Sequence, residues 1–255
     1  MANGLSATEK NYRIRSEADG DGTVLCFDSV EGLPHKIIGD EDDSMDDVLI
    51  VLEGLEAPKS QPTLKEGTVY TISKVIGDVE VDVAGIYCVE LLLDKDSRQH
   101  YVASVGRSYV PVVQLLDAWT ECVPVSWRAL NPSYGTSWID ACRALSSPRD
   151  WRQTLATDNV VLDVRGLRTR DEFYCYIGEA IFGYRGYAGS CLDAFDEVLK
   201  SNNPERISFL ISDEAEFDAV LEKLTERADY AHLFKQILIE AGASLRVESR
   251  SIQSS

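Results

Sequence analysis

From Tyr12 to Val105 apolar and polar residues alternate in short runs, the period of a half-buried strand. The runs are Thr23–Phe27, Asp47–Leu52, Thr68–Ile76, Val79–Ala84, Tyr87–Leu93 and Tyr101–Val105. Gly77-Asp78 reads as a two-residue hairpin turn and Asp94 to Gln99 as a polar connection. An antiparallel meander of about five to seven strands follows. Pro111 to Trp119 then shows helical spacing, with a proline in the first turn, where its missing N–H costs nothing. Pro124 to Trp151 mixes Pro, Ser, Gly and Trp and reads as a connector; Trp127, Trp138 and Trp151 favour its packing onto a domain over free swinging.

After the connector the period lengthens. Asn159 to Val164 is a short apolar run suited to a buried strand, and Thr169 with Glu172 three residues on forms a capping box. Phe173, Tyr176, Ile177 and Ala180 continue a helical stripe toward Phe182. Gly186 and Gly189 bracket Tyr187 on a short loop, and Ser190 is placed to cap the next helix with Asp193 in its first turn. On that helix Leu192, Phe195, Val198 and Leu199 share one side, while Asp193, Asp196 and Glu197 share the other. A strand over Ile207 to Ile211, helices over Glu214–Thr225 and Ala231–Ala241 ended by Gly242, and a last strand over Ser244–Val247 complete the order. Strand, helix, helix, strand, helix, helix, strand implies a small parallel sheet. The expected fold is a β-rich N-terminal domain over 1–125, a connector over 126–155 and an α/β domain over 156–255.

Charge narrows the function classes. Of 255 residues, 44% are hydrophobic and 27% charged, a globular composition, and the formal net charge is -18. A surface so negative argues against direct contact with nucleic acid or an anionic membrane and favours a basic protein partner. No apolar run has the length of a signal peptide or a membrane span, so a cytoplasmic location is expected. Cys26, Cys88, Cys122, Cys142, Cys175 and Cys191 form no C-x-x-C pair, which points to reduced, mostly buried thiols, with Cys191 the one expected to react. Neither Gly39–Asp47 nor Asp19-Gly20-Asp21-Gly22 has the register of a calcium loop, and His35, His100 and His232 belong to no catalytic motif. No metal, cofactor or catalytic residue is expected.

The run Phe173-Tyr174-Cys175-Tyr176-Ile177-Gly178-Glu179-Ala180, the Gly-Tyr-x-Gly loop and Leu192-Asp193-Ala194-Phe195-Asp196-Glu197-Val198-Leu199, in this order, resemble the barstar family of intracellular ribonuclease inhibitors. The resemblance spans roughly Asn159 to Glu248. It implies a three-stranded parallel sheet with surrounding helices, and an inhibitor or immunity protein that blocks the active site of a basic, barnase-like ribonuclease with an acidic helix. It also implies partner-binding roles: Tyr187 as the loop aromatic, Gly189 beside it in the loop, and Asp193 and Glu197 as the two acids of the helix, with Asp196 between them. Glu197 stands where the family has Asp, Asp196 where it has an aromatic residue, and Cys191 where it has Asn. Gln236 or Ile237 stands at the family's last acid. These departures imply a different nuclease as target.

Two rivals belong to other classes. The N-terminal domain could be the main binding module, with binding retained by residues 1 to about 145 alone. Alternatively, Asp193 and Glu197, four residues apart, could serve a hydrolase as general acid and base, although nothing nearby in sequence would desolvate either.

Overall fold

The computed structural model describes residues 11–16, 22–34, 46–55, 62–76, 79–146 and 153–248. The Gly77-Asp78 turn, Trp151, His35 and nearly all of the acid-rich run Gly39–Asp47 lie outside them. Backbone contacts divide the chain into two compact units, Met1–Pro124 and Val125–Ser255.

The first unit holds β1 (Tyr12–Ser16), β2 (Thr23–Phe27), β3 (Ser29–Glu31), β4 (Asp46–Glu53), β5 (Val69–Ile76), β6 (Val79–Lys95), β7 (Arg98–Ser108) and helix α1 (Val110–Thr120). Seven strands form one antiparallel sheet in the order β2-β1-β5-β6-β7-β4-β3. Only β5 to β7 are a meander; β1 joins the β5 side and β4 the β7 side. The two runs expected at Val79–Ala84 and Tyr87–Leu93 are one strand, carried past Gly85 by a bulge.

This order forces the sheet to close. Strands sit about 4.8 Å apart, so a flat sheet of this size would hold its two edges roughly 29 Å apart. Yet the edge strands β2 and β3 are joined by Asp28 alone, and one residue spans at most about 3.6 Å. The sheet must curl until β2–β3 acts as one bent strand, pairing with β1 on one side and β4 on the other. The Asp28 N–H, donating to the Glu53 carbonyl at 2.8 Å, continues the ladder through the bend. Ile14, Phe27, Ile50, Leu52, Ile72, Ile86, Tyr101 and Val105 fill the interior of this barrel, with Val113 of α1 packed against them.

The second unit carries α2 (Gly135–Leu145), β8 (Asn159–Val161), α3 (Arg170–Phe182), α4 (Leu192–Lys200), β9 (Ser208–Ile211), α5 (Glu214–Thr225), α6 (Tyr230–Glu240) and β10 (Ser244–Val247). β9 is the central strand of a three-stranded parallel sheet, between β8 and β10. The segment read as a connector has structure of its own. It contains two 3-10 turns and α2, and its Trp127 Nε1 donates to Glu179 Oε2 of α3 at 2.8 Å.

Helices α3 to α6 converge on Phe234. Its ring meets Phe173 edge-on at 5.2 Å, stacks on Phe195 at 4.9 Å and tilts against Phe217 at 6.0 Å. Thr169 caps α3 by accepting from the Glu172 N–H at 3.2 Å, while the buried Glu172 carboxylate reaches back to the Arg168 N–H at 2.6 Å. Two glycines set the distance between α3 and the following loop. A Cβ on Gly178 would stand 2.1 Å from the Gly186 carbonyl oxygen, and one on Gly186 would stand 2.3 Å from that of Gly178. Glycine in a helix interior costs about 1 kcal/mol relative to alanine, so close backbone approach is the reason for Gly178.

Gly186→Ala is therefore expected to lower unfolding free energy in urea by about 1–3 kcal/mol, the usual penalty of overpacking. An unchanged midpoint would mean that the loop lifts off α3 freely.

Candidate functional site

The loop from Gly183 to Ser190 and α4 form the candidate site. Val198 and Leu199 are buried beside Phe195, and this fixes the roll of the helix. With those three inward, helical geometry leaves Asp193 and Glu197 exposed and Asp196 half-buried. Among the described residues neither Asp193 nor Glu197 forms an ion pair, whereas Asp196 accepts from Lys200 Nζ at 2.6 Å. The row of three acids is thus two open carboxylates and one matched by a lysine. Asp193 sits in the first turn, where the positive end of the helix dipole stabilises it.

The helix starts one residue later than expected. Cys191, not Ser190, is the N-cap, and no side chain caps the helix; the Cys191 carbonyl accepts from the Phe195 N–H at 2.9 Å. The capping role expected of Ser190 and Asp193 is absent, because both side chains lie in solvent. Gly189 has φ +93, and a Cβ there would meet the Phe195 backbone nitrogen at 2.6 Å. Its place is structural: the buried glycine lets the loop run against the first turn of α4.

Tyr187 departs most from expectation. The residue is buried, only 5% exposed, whereas the resemblance implies an aromatic ring open to a partner. Gln153 holds the backbone on both sides of it, accepting from the Tyr187 N–H at 3.0 Å and donating to the Tyr187 carbonyl at 2.6 Å. The Gln153 N–H in turn donates to Asn202 Oδ1 at 2.7 Å, and Asn202 Nδ2 donates to the Val198 carbonyl at 2.7 Å. One chain of hydrogen bonds therefore braces the loop and the C-terminal end of α4 together. The exposed tyrosine of this loop is Tyr184, whose hydroxyl donates to the Val125 carbonyl at 2.6 Å.

Burial shapes the chemistry beneath the helix. It raises the Tyr187 phenol above its ordinary range, opposed by Arg143 and reinforced by Asp140, Cys191 and Glu197. Tyr174 and Tyr230, bonded hydroxyl to hydroxyl, are raised for the same first reason. Asp193 and Glu197 are both exposed, so neither is desolvated as the hydrolase reading would require. No group of His, Cys, Asp and Glu suited to a metal ion exists among the described residues. His100 is half-buried in β7 and His232 exposed on α6. Gln236 is exposed and bonded to Glu240 at 2.6 Å; Ile237 is half-buried. Cys122 is exposed as well as Cys191, which the sequence does not signal. Nor does it signal a cleft of about 150 Å³ at the C-terminal ends of β8 and β9, lined by Asp163, Arg165, Asp213 and Glu216. There Asp163 neutralises Arg165 through a bond from Nε at 2.7 Å and one from Nη2 at 2.5 Å.

The buried phenols give stability a pH dependence. The folded state keeps protons that the unfolded chain loses near pH 10, so their contribution is full below about pH 10 and is lost as pH rises beyond it. Urea unfolding is expected to be level from about pH 7 to 8, to begin to fall above that because burial also raises the Cys142 and Cys175 thiols, and beyond about pH 10 to fall by up to about 1.4 kcal/mol more per pH unit for each tyrosine, less steeply in Tyr174→Phe. Stability that stays constant to about pH 11 would contradict this.

Among the described residues no helix is long and apolar enough to cross a membrane. No protein-family model matches the chain, no curated protein matches it in sequence, and no solved structure matches it.

Proposed function

We propose that the second unit is a barstar-like domain and that the protein is an inhibitor or immunity protein acting in the cytoplasm against a basic ribonuclease. The carrying observation is the orientation of α4, which turns Asp193 and Glu197 to solvent on a helix braced by Phe195, Gly189 and the Gln153–Asn202 bonds. A ribonuclease active site gathers Lys, Arg and His around the RNA phosphates. Two carboxylates spaced one helical turn apart, about 6 Å, can occupy such a site without reorganisation. The net charge of -18 attracts a basic protein over distance and speeds its encounter at low salt. The action is noncovalent occlusion, and the inhibitor performs no catalysis.

In this reading the contact residues are Asp193 and Glu197, with Asp196 at the margin because Lys200 already answers its charge. Tyr187 and Gly189 serve as the support beneath them. A target shaped for this surface meets charge where the family prototype offers an aromatic ring, which agrees with a nuclease different from barnase.

The test is capture from the source cell with the intact chain and with Glu197→Ala as bait, followed by calorimetry on the captured nuclease. Glu197→Ala and Asp193→Ala are each expected to weaken the complex by about 2 kcal/mol or more, roughly thirtyfold in Kd, without change in urea midpoint. Unaltered affinity in both variants would refute the proposal.

A further inference from the structure

The outer wall of the barrel carries apolar side chains where a solvated sheet face would carry polar ones. β6 is bulged between Cys88 and Glu90 and again between Leu91 and Leu93. Cys88 and Leu91 pack on the core, so each bulge adds an outward residue, Val89 beside Glu90 and Leu92 beside Leu93. Register extends the patch sideways. Tyr87 faces Val69 on β5, while Glu90 faces Val102 on β7, which in turn faces Leu49 on β4. Leu49, Val69, Tyr87, Val89, Leu92 and Leu93 are between 37% and 52% exposed, half of the large apolar residues so exposed among those described.

The charges on this wall indicate what covers it. Arg98 is matched by Glu53 and Lys95 by Asp96. Asp47 and Glu90 lie in the rows of Tyr87 and Leu49 and form no ion pair among the described residues. The net charge of -18 would repel a second copy of the chain or an anionic lipid surface. A cationic partner gains from the same charge.

We infer that the barrel wall built from β4 to β7 is a docking surface for a basic protein segment that alternates aliphatic with Lys or Arg side chains. The aliphatic groups cover Leu49, Leu92 and Leu93, and the cations pair with Asp47 and Glu90. This surface lies in a different unit from α4 and does not depend on the ribonuclease reading.

The probe is a fluorescein-labelled synthetic peptide of alternating Lys and Leu, titrated by anisotropy with the full chain. Binding is expected to weaken at least tenfold in Leu49→Ser/Leu93→Ser, and equally when Leu in the peptide is replaced by Ser. Asp47→Asn/Glu90→Gln, which leaves every apolar contact in place, is expected to weaken it at least fivefold, and Asp193→Ala/Glu197→Ala to leave it unchanged. Equal binding by the wild type and both wall variants would overturn the inference, as would loss that follows the α4 variant instead. Two further results would also overturn it: a concentration-dependent dimer in sedimentation that Leu49→Ser/Leu93→Ser dissolves, or a Leu92→Cys thiol that the rest of the chain shields from labelling.

Discussion

The stacking of Phe195 on Phe234 is the contact on which the candidate site depends. Phe234 also meets Phe173 and Phe217, so one ring ties α4 to α3, α5 and α6. A nine-residue helix is too short to hold its own shape in water, and its direction and roll are set by what it buries. Because Phe195, Val198 and Leu199 are the buried residues, Asp193 and Glu197 have no orientation left except toward solvent. A rotation of α4 by a third of a turn would expose the ring and bury charge, losing several kcal/mol on both counts. The acidic surface is therefore as rigid as the aromatic cluster behind it.

Glycines and hydrogen bonds finish the brace. Gly178 and Gly186 bring the loop to backbone contact with α3, and Gly189 brings it against the first turn of α4. Gln153 and Asn202 then link this loop to the far end of the helix. A preorganised anionic surface of this kind loses little conformational freedom on meeting a partner, so charge attraction is not spent on ordering the binder. The barrel follows another logic, bringing its edge strands β2 and β3 together through the bend at Asp28.

How much of this was legible depended on the range of the interactions involved. The acidic face of α4, the capping of α3 by Thr169 and the end of α6 at Gly242 rest on neighbours a few residues apart, and local spacing revealed them. Sheet order did not follow from spacing, because pairing β1 with β5 and β4 with β7 is decided by the barrel core and not within any strand. The unity of β6 was hidden by bulges, which shift the period by one and imitate a strand end. The burial of Tyr187 was hidden for the same kind of reason. A tyrosine between glycines looks alike in sequence whether it faces in or out, and the group that holds its backbone is Gln153, 34 residues earlier. The cap shifted from Ser190 to Cys191 because the loop is positioned by Gly189 against Phe195, a steric fit that side-chain propensity does not encode.

The most direct measurement of the central claim is a crystal structure of the protein bound to the basic ribonuclease proposed as its target. The account predicts Asp193 and Glu197 within hydrogen-bonding distance of Lys, Arg or His side chains in the nuclease cleft, with Tyr187 still buried and α4 unmoved. A complex in which α4 faces solvent, or in which the helix must unpack Phe195 from Phe234 to engage, would contradict it.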